Sequence, residues 1–141
     1  MSRYMRIVLT AALTAIVAGC AGPKSGVDMT PTLRLKVDAH IGKSWNDDGT
    51  KIANLSTQFS PNETVLAAVD VPGSADGTMK VRWMFGTEVL KEQSVTLDDK
   101  TTLYKFELAP AAGGNRVGDY EFQVLLNDHE SDTEHFKVTA S

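Results

Sequence analysis

Cysteine is nearly absent from this chain of 141 residues: Cys20 stands alone. A lone thiol excludes an internal disulfide, so any fold must be held by its apolar core rather than by bridges. Long apolar runs are also missing. The best is Ile7 to Val17, 11 residues, whereas a membrane span needs roughly 17 to 25. Beyond that run no segment sustains an apolar stripe with the 3.6-residue period of an amphipathic helix, so little helix is expected. Basic residues are a minority, with 14 Lys and Arg against 18 Asp and Glu. That balance argues against a nucleic-acid or anionic-lipid surface, where Lys and Arg would dominate.

What is present begins at the N-terminus. Arg3 and Arg6 precede the short apolar run, the charged-then-apolar layout of a secretory signal helix. Its end, Val17-Ala18-Gly19-Cys20, resembles the lipobox of bacterial lipoproteins. The resemblance implies that residues 1–19 are removed and that Cys20 becomes the lipidated first residue, a diacylglyceryl group and often a third chain fixing it to a membrane. Each buried methylene contributes about 0.8 kcal/mol, so two or three chains anchor firmly where one would not. Ala21 follows, not the Asp that resembles an inner-membrane retention signal. The expected location is therefore the outer membrane, facing the periplasm. Cleavage removes Arg3 and Arg6, leaving 12 basic against 18 acidic residues, a formal charge of about minus six.

Residues 20–31 hold Gly22, Pro23, Ser25, Gly26 and Pro31 with no apolar period. They read as a flexible tether that reaches roughly 35 Å when extended. Residues 32–141 form the expected domain, and there period-two alternation recurs. Leu33, Leu35, Val37, Ala39 and Ile41 make one apolar set; Val65, Ala67, Val69 and Val71 a second. Met79, Val81, Trp83 and Phe85 follow, then Tyr104, Phe106 and Leu108, then Tyr120, Phe122, Val124 and Leu126. A short last strand carries Phe136 and Val138, and weaker signals cover Ile52 to Phe59 and Val89 to Leu97. Turn chemistry separates the runs at Asn46 to Gly49, Pro72 to Gly77, Asp98 to Lys100 and Asn127 to His129.

Seven or eight short strands in this length predict an all-β, antiparallel sandwich. Trp83 within Val81-Arg82-Trp83-Met84-Phe85 is similar to the central tryptophan strand of immunoglobulin-like domains, and Gly118-Asp119-Tyr120 is similar to their tyrosine corner. With Phe59-Ser60-Pro61, Thr64 to Val71 and Phe136, the pattern resembles small immunoglobulin-like domains of bacterial lipoproteins. These are signatures of fold and carry no activity.

Chemistry-bearing motifs are sparse. Asp128 to His135, which contains His129 and ends on His135, forms a polar stretch in which a hairpin loop would gather imidazoles and carboxylates. Zinc or copper would accept such a set, but no further His or Cys completes a known spacing, and a solvated loop is the favoured reading. Asn46-Asp47-Asp48-Gly49 lacks the alternating oxygen ligands of a calcium loop. No serine has the surroundings of a nucleophile elbow. The chain is thus expected to be non-catalytic, with no cofactor and no metal.

Surface then carries the expectation of function. With Trp83 and Phe122 inward, Arg82, Met84, Gln123 and Leu125 face outward on strands that neighbour each other in immunoglobulin-like sheets. They make a candidate contact patch for a protein partner whose identity the sequence does not give. The expected role is a lipid-anchored, non-catalytic binding module of the cell envelope, touching the membrane through Cys20. The alternative is an inhibitor or immunity lipoprotein that sets an acidic loop against a cationic toxic hydrolase.

Overall fold

The structure is a computed structural model and describes residues 36–73 and 75–141. The signal segment 1–19, Cys20, the tether 20–31, and Leu33 and Leu35 lie outside the described residues. Eight strands follow: β1 Asp38–Gly42, β2 Gln58–Phe59, β3 Val65–Asp70, β4 Thr78–Phe85, β5 Glu88–Thr96, β6 Leu103–Leu108, β7 Gly118–Leu126 and β8 His129–Val138. They form a three-stranded sheet ordered β1-β3-β6 and a five-stranded sheet ordered β2-β8-β7-β4-β5. Every pairing is antiparallel except that of β2 with β8.

The alternation read from the sequence becomes the core. Val37, Ala39, Ile41, Val65, Val69, Met79, Val81, Trp83, Phe122 and Val124 are buried between the sheets. The aromatic rings tie the layers together: Trp83 lies 4.5 Å from Phe122, and Phe106 reaches Phe122 from the other sheet at 6.0 Å. Burying such rings supplies most of the free energy a domain without disulfides needs. The tyrosine corner is formed, with the Tyr120 hydroxyl donating to the Arg116 carbonyl at 2.7 Å.

Turn residues set the registers. Asn127 and Asp128 adopt positive φ, 47° and 66°, between the paired residues Leu126 and His129, the backbone of a type I′ hairpin. Gly86, φ 57°, opens the two-residue turn joining β4 to β5. Asn46 accepts from the amides of Thr50 and Lys51 at 2.8 and 3.1 Å, which closes the tight turn expected at Asn46 to Gly49.

Two expectations are corrected. The polar segment after Asn127 is not a loop: His129 begins β8, a ten-residue strand that runs to Val138. Ile52 to Phe59 is not one strand either. It divides into isolated bridges, Ile52 to Trp45 and Leu55 to Gly42, before the two-residue β2. Residues 45–52 therefore form a small lobe inserted where the chain passes from the three-stranded sheet to the five-stranded one. Lys105 of β6 holds this lobe, its ammonium 4.7 Å above the Trp45 ring.

Candidate functional site

The chain's crossing from β1 to β2 leaves an open seam between the two sheets. β1 pairs with β3 on one side only, and β8 is covered by β2 only at Lys137 and Val138. Facing residues 129–136 of β8 there is, among the described residues, no paired strand on that edge. Asp132 closes the upper part of the seam. Its Oδ2 accepts from the Ala39 amide of β1 at 2.8 Å, and its Oδ1 accepts from the neighbouring Thr133 amide at 2.9 Å. One carboxylate thus satisfies edge donors of both sheets, the kind of charge-assisted bond that is stronger than a neutral one.

Below Asp132 the seam widens into a groove of about 510 Å³ lined by His40, Ile41, Leu55, Ser56, Thr57, Gln58 and Glu134. Leu55 is the most exposed large apolar side chain described, at 63%. Glu134 lies opposite the buried Phe122 in the β7–β8 register, so it projects toward the interior side of the sheet rather than into bulk water. Burial, reinforced by the Asp132 charge, pushes the Glu134 carboxyl above the usual range, while His40 and His135 pull it back. Among the described residues no ion pair holds Glu134, whereas His40 sits 3.7 Å from Asp70.

A second groove of about 410 Å³ lies on the other flank of β2, lined by residues that include Asp119, Glu121, His135 and Lys137. Its charges already answer one another, Lys137 with Asp119 at 3.3 Å and His135 with Glu121 at 3.5 Å.

The outward patch expected from the sequence is not an apolar surface. Arg82 pairs with Glu92 at 2.6 Å, and Gln123 donates to Glu121 at 3.0 Å. Leu125 is only 9% exposed: it lies between Lys80 and Glu130 in the register, residues whose long stems are of the kind that cover apolar surface. Met84 is half-buried opposite Glu121, and the Arg82–Gln123 pair separates it from Leu125. His129 and His135 stand at opposite ends of the polar half of β8, beside Leu126 and Glu121. Among the described residues no group of three or more His, Cys, Asp or Glu side chains is placed to hold a metal ion. Sequence reasoning passes over the groove because Leu55, Gln58 and Glu134 follow no shared period, and only the parallel β2–β8 contact brings them together.

With strand order, core and tyrosine corner in view, the likeness to solved structures can be placed. An immunoglobulin-like protein (PA1606) from Pseudomonas aeruginosa superposes with a TM-score of 0.54 at 9% identity, covering 74% of this chain and 96% of that one. The chain has an immunoglobulin-like fold. A β-glucosidase from Listeria innocua, solved with glucose, matches with a TM-score of 0.42 at 13% identity over 74% of this chain and 16% of the enzyme. That weak, partial match carries no argument about activity. No sequence family and no curated relative matches the chain. An immunoglobulin-like frame is compatible with many roles, so function has to be argued from the site.

Proposed function

We propose that the chain is a lipid-anchored, non-catalytic binding module of the cell envelope, held through Cys20 in the outer membrane and facing the periplasm. The observation that carries the reading is the combination, in one chain, of Cys20 at the end of a short apolar run preceded by Arg3 and Arg6 with a domain that presents a mixed polar and apolar groove. A rigid sandwich presenting a groove at a seam suits recognition, and two or three acyl chains suit lasting attachment. The charged side chains of the described outer sheet face serve each other in pairs such as Arg82–Glu92 and Lys80–Asp128. That arrangement supports a framework rather than a reaction centre.

Cys20→Ser decides the anchor. The wild-type protein is expected in the membrane fraction and the variant in the soluble fraction, and equal membrane retention of both would refute it. Mass spectrometry of the native protein supplies an independent readout, a fatty adduct on Cys20. Crosslinking in intact cells tests the binding role through a discrete adduct.

The second reading, an inhibitor or immunity lipoprotein against a cationic hydrolase, draws on the excess of acidic residues and on the carboxylates Glu130, Asp132 and Glu134 along β8. These carboxylates belong to a strand, so the acidic surface is fixed in shape. Steep weakening of a candidate complex by salt would favour this reading, and salt-indifferent binding would count against it.

A further inference from the structure

We infer that the seam groove receives a short extended segment of a protein partner carrying a Lys or Arg side chain, which meets Glu134. The inference deepens the binding-module reading and rests on it. Three independent features converge.

The first is shape. The groove volume, about 510 Å³, falls within the roughly 300–1,000 Å³ typical of sites that hold a bound group. It runs along the part of β8 just ahead of β2, where the strand edge has no paired strand among the described residues. An extended segment is the conformation that such an edge accepts, through main-chain hydrogen bonds.

The second is charge. Asp132 is committed to the amides of Ala39 and Thr133, and Asp70 faces His40. Glu134, half-buried on the groove wall, has no ion pair among the described residues. With His40 turned to Asp70, Glu134 is the charge of the groove wall left to meet a ligand, so a cation entering the groove gains Coulomb energy that an anion would forfeit. The neighbouring groove differs, because Asp119 there pairs with Lys137 and Glu121 faces His135.

The third is the apolar lip. Leu55 stands 63% exposed at the groove rim, fixed by the bridge between Leu55 and Gly42. The methylene stem of a Lys or Arg would cover it while the charged head reaches Glu134.

The opposite edge of the five-stranded sheet, β5, is a poorer docking strand. Lys91 on it turns inward and donates to the Glu107 carbonyl of the opposite sheet at 3.0 Å, and a bulge at Trp83/Met84 breaks its register. Inward charges and bulges are how sheets discourage strand addition.

The test uses the full-length chain in uncharged detergent and two synthetic peptides, one alternating Lys and Thr, the other alternating Glu and Thr. Amide NMR shifts locate binding. The Lys peptide is expected to perturb His40, Gln58 and Glu134, the Glu peptide to leave them unmoved, and Glu134→Gln to weaken the Lys peptide about tenfold. Leu55→Ser is expected to weaken it by a smaller factor, and the distant control Asp98→Asn to leave affinity unchanged. Perturbation centred elsewhere, equal binding of the Glu peptide, or unchanged affinity in Glu134→Gln would overturn the inference. In-cell crosslinking separates this from failure of the broader reading. An adduct that survives Glu134→Gln with Leu55→Ser refutes the groove and leaves a binding module. Absence of any adduct from the wild-type chain counts against the module, and the peptide titration still decides the groove.

Discussion

Replacing Tyr120 by Phe removes one oxygen from the structure and little else. The ring is 2% exposed, stacked 5.1 Å from Phe136 and set edge-on to Phe85 at 4.9 Å, so it has no reason to move. What disappears is the 2.7 Å bond to the Arg116 carbonyl. A hydrogen bond of this kind contributes about 0.5–1.5 kcal/mol net, more if its partner is left buried and unpaired. Arg116 is exposed, so water can reach its carbonyl and the expected loss is about 1 kcal/mol. For a domain of this size that lowers Tm by roughly 4–8 °C. Urea unfolding followed by tryptophan fluorescence measures it, with an unchanged m value as the sign that both states keep their surface. A second signature is alkaline. Burial raises the Tyr120 phenol above its ordinary value of 10.0 despite the nearby Arg116. The native state therefore holds this proton longer than the unfolded chain, and stability falls as pH rises above about 10. Tyr120→Phe should lack that decline. A loss under about 0.3 kcal/mol, or an alkaline limb identical in the variant, would refute the claim that the corner hydroxyl stabilises this end of the sandwich.

Gly42→Ala should cost about 1–3 kcal/mol in the same unfolding assay, because an added Cβ would collide with the Asn54 carbonyl and the Ile52 side chain in the crossing from β1 to β2. Glu63 tests the acid side. Its carboxyl accepts from the Ser60 amide at 2.6 Å and pairs with Lys43 at 3.0 Å, and these bonds, the Ser60 one foremost, hold it below the usual value of 4.5. Stability from this group is present above the unfolded value and lost as pH falls through the folded one. Glu63→Gln should thus flatten the acid limb below about pH 4.5 while costing less than about 1 kcal/mol at neutral pH, since the pair is solvent-screened.

The fold was legible wherever burial alternated along a strand facing the core on one side only. Met79, Val81 and Trp83 show this in β4, and Val65, Ala67 and Val69 in β3, because one buried face imposes a period of two. β8 broke the pattern. Phe136 and Val138 obey it, but Asp132 and Glu134 occupy the same face as carboxylates. That departure has a physical cause. The strand leaves the core at the seam, where Asp132 is needed to pair with the Ala39 amide, and a sequence window sees the acids without the strand 93 residues away that explains them. β5 was the converse case. Its signal was weak because, as an edge, it buries little on either side. The expected exposure of Leu125 was missed for a related reason. Facing outward was inferred from parity, while exposure depends on neighbours such as Lys80 and Glu130 that only the register identifies.

The Asp132 clasp carries a mechanical consequence. The chain enters the sandwich through β1, so tension arriving from its N-terminal side loads the first strand before any other. There it meets antiparallel pairing to β3 along one flank and, on the other, a carboxylate grip on the Ala39 amide. Force applied along that path would have to shear both together, which makes rupture a question of rate rather than of equilibrium. Pulling on single molecules of Asp132→Asn would show how much of the yield strength resides in that one latch.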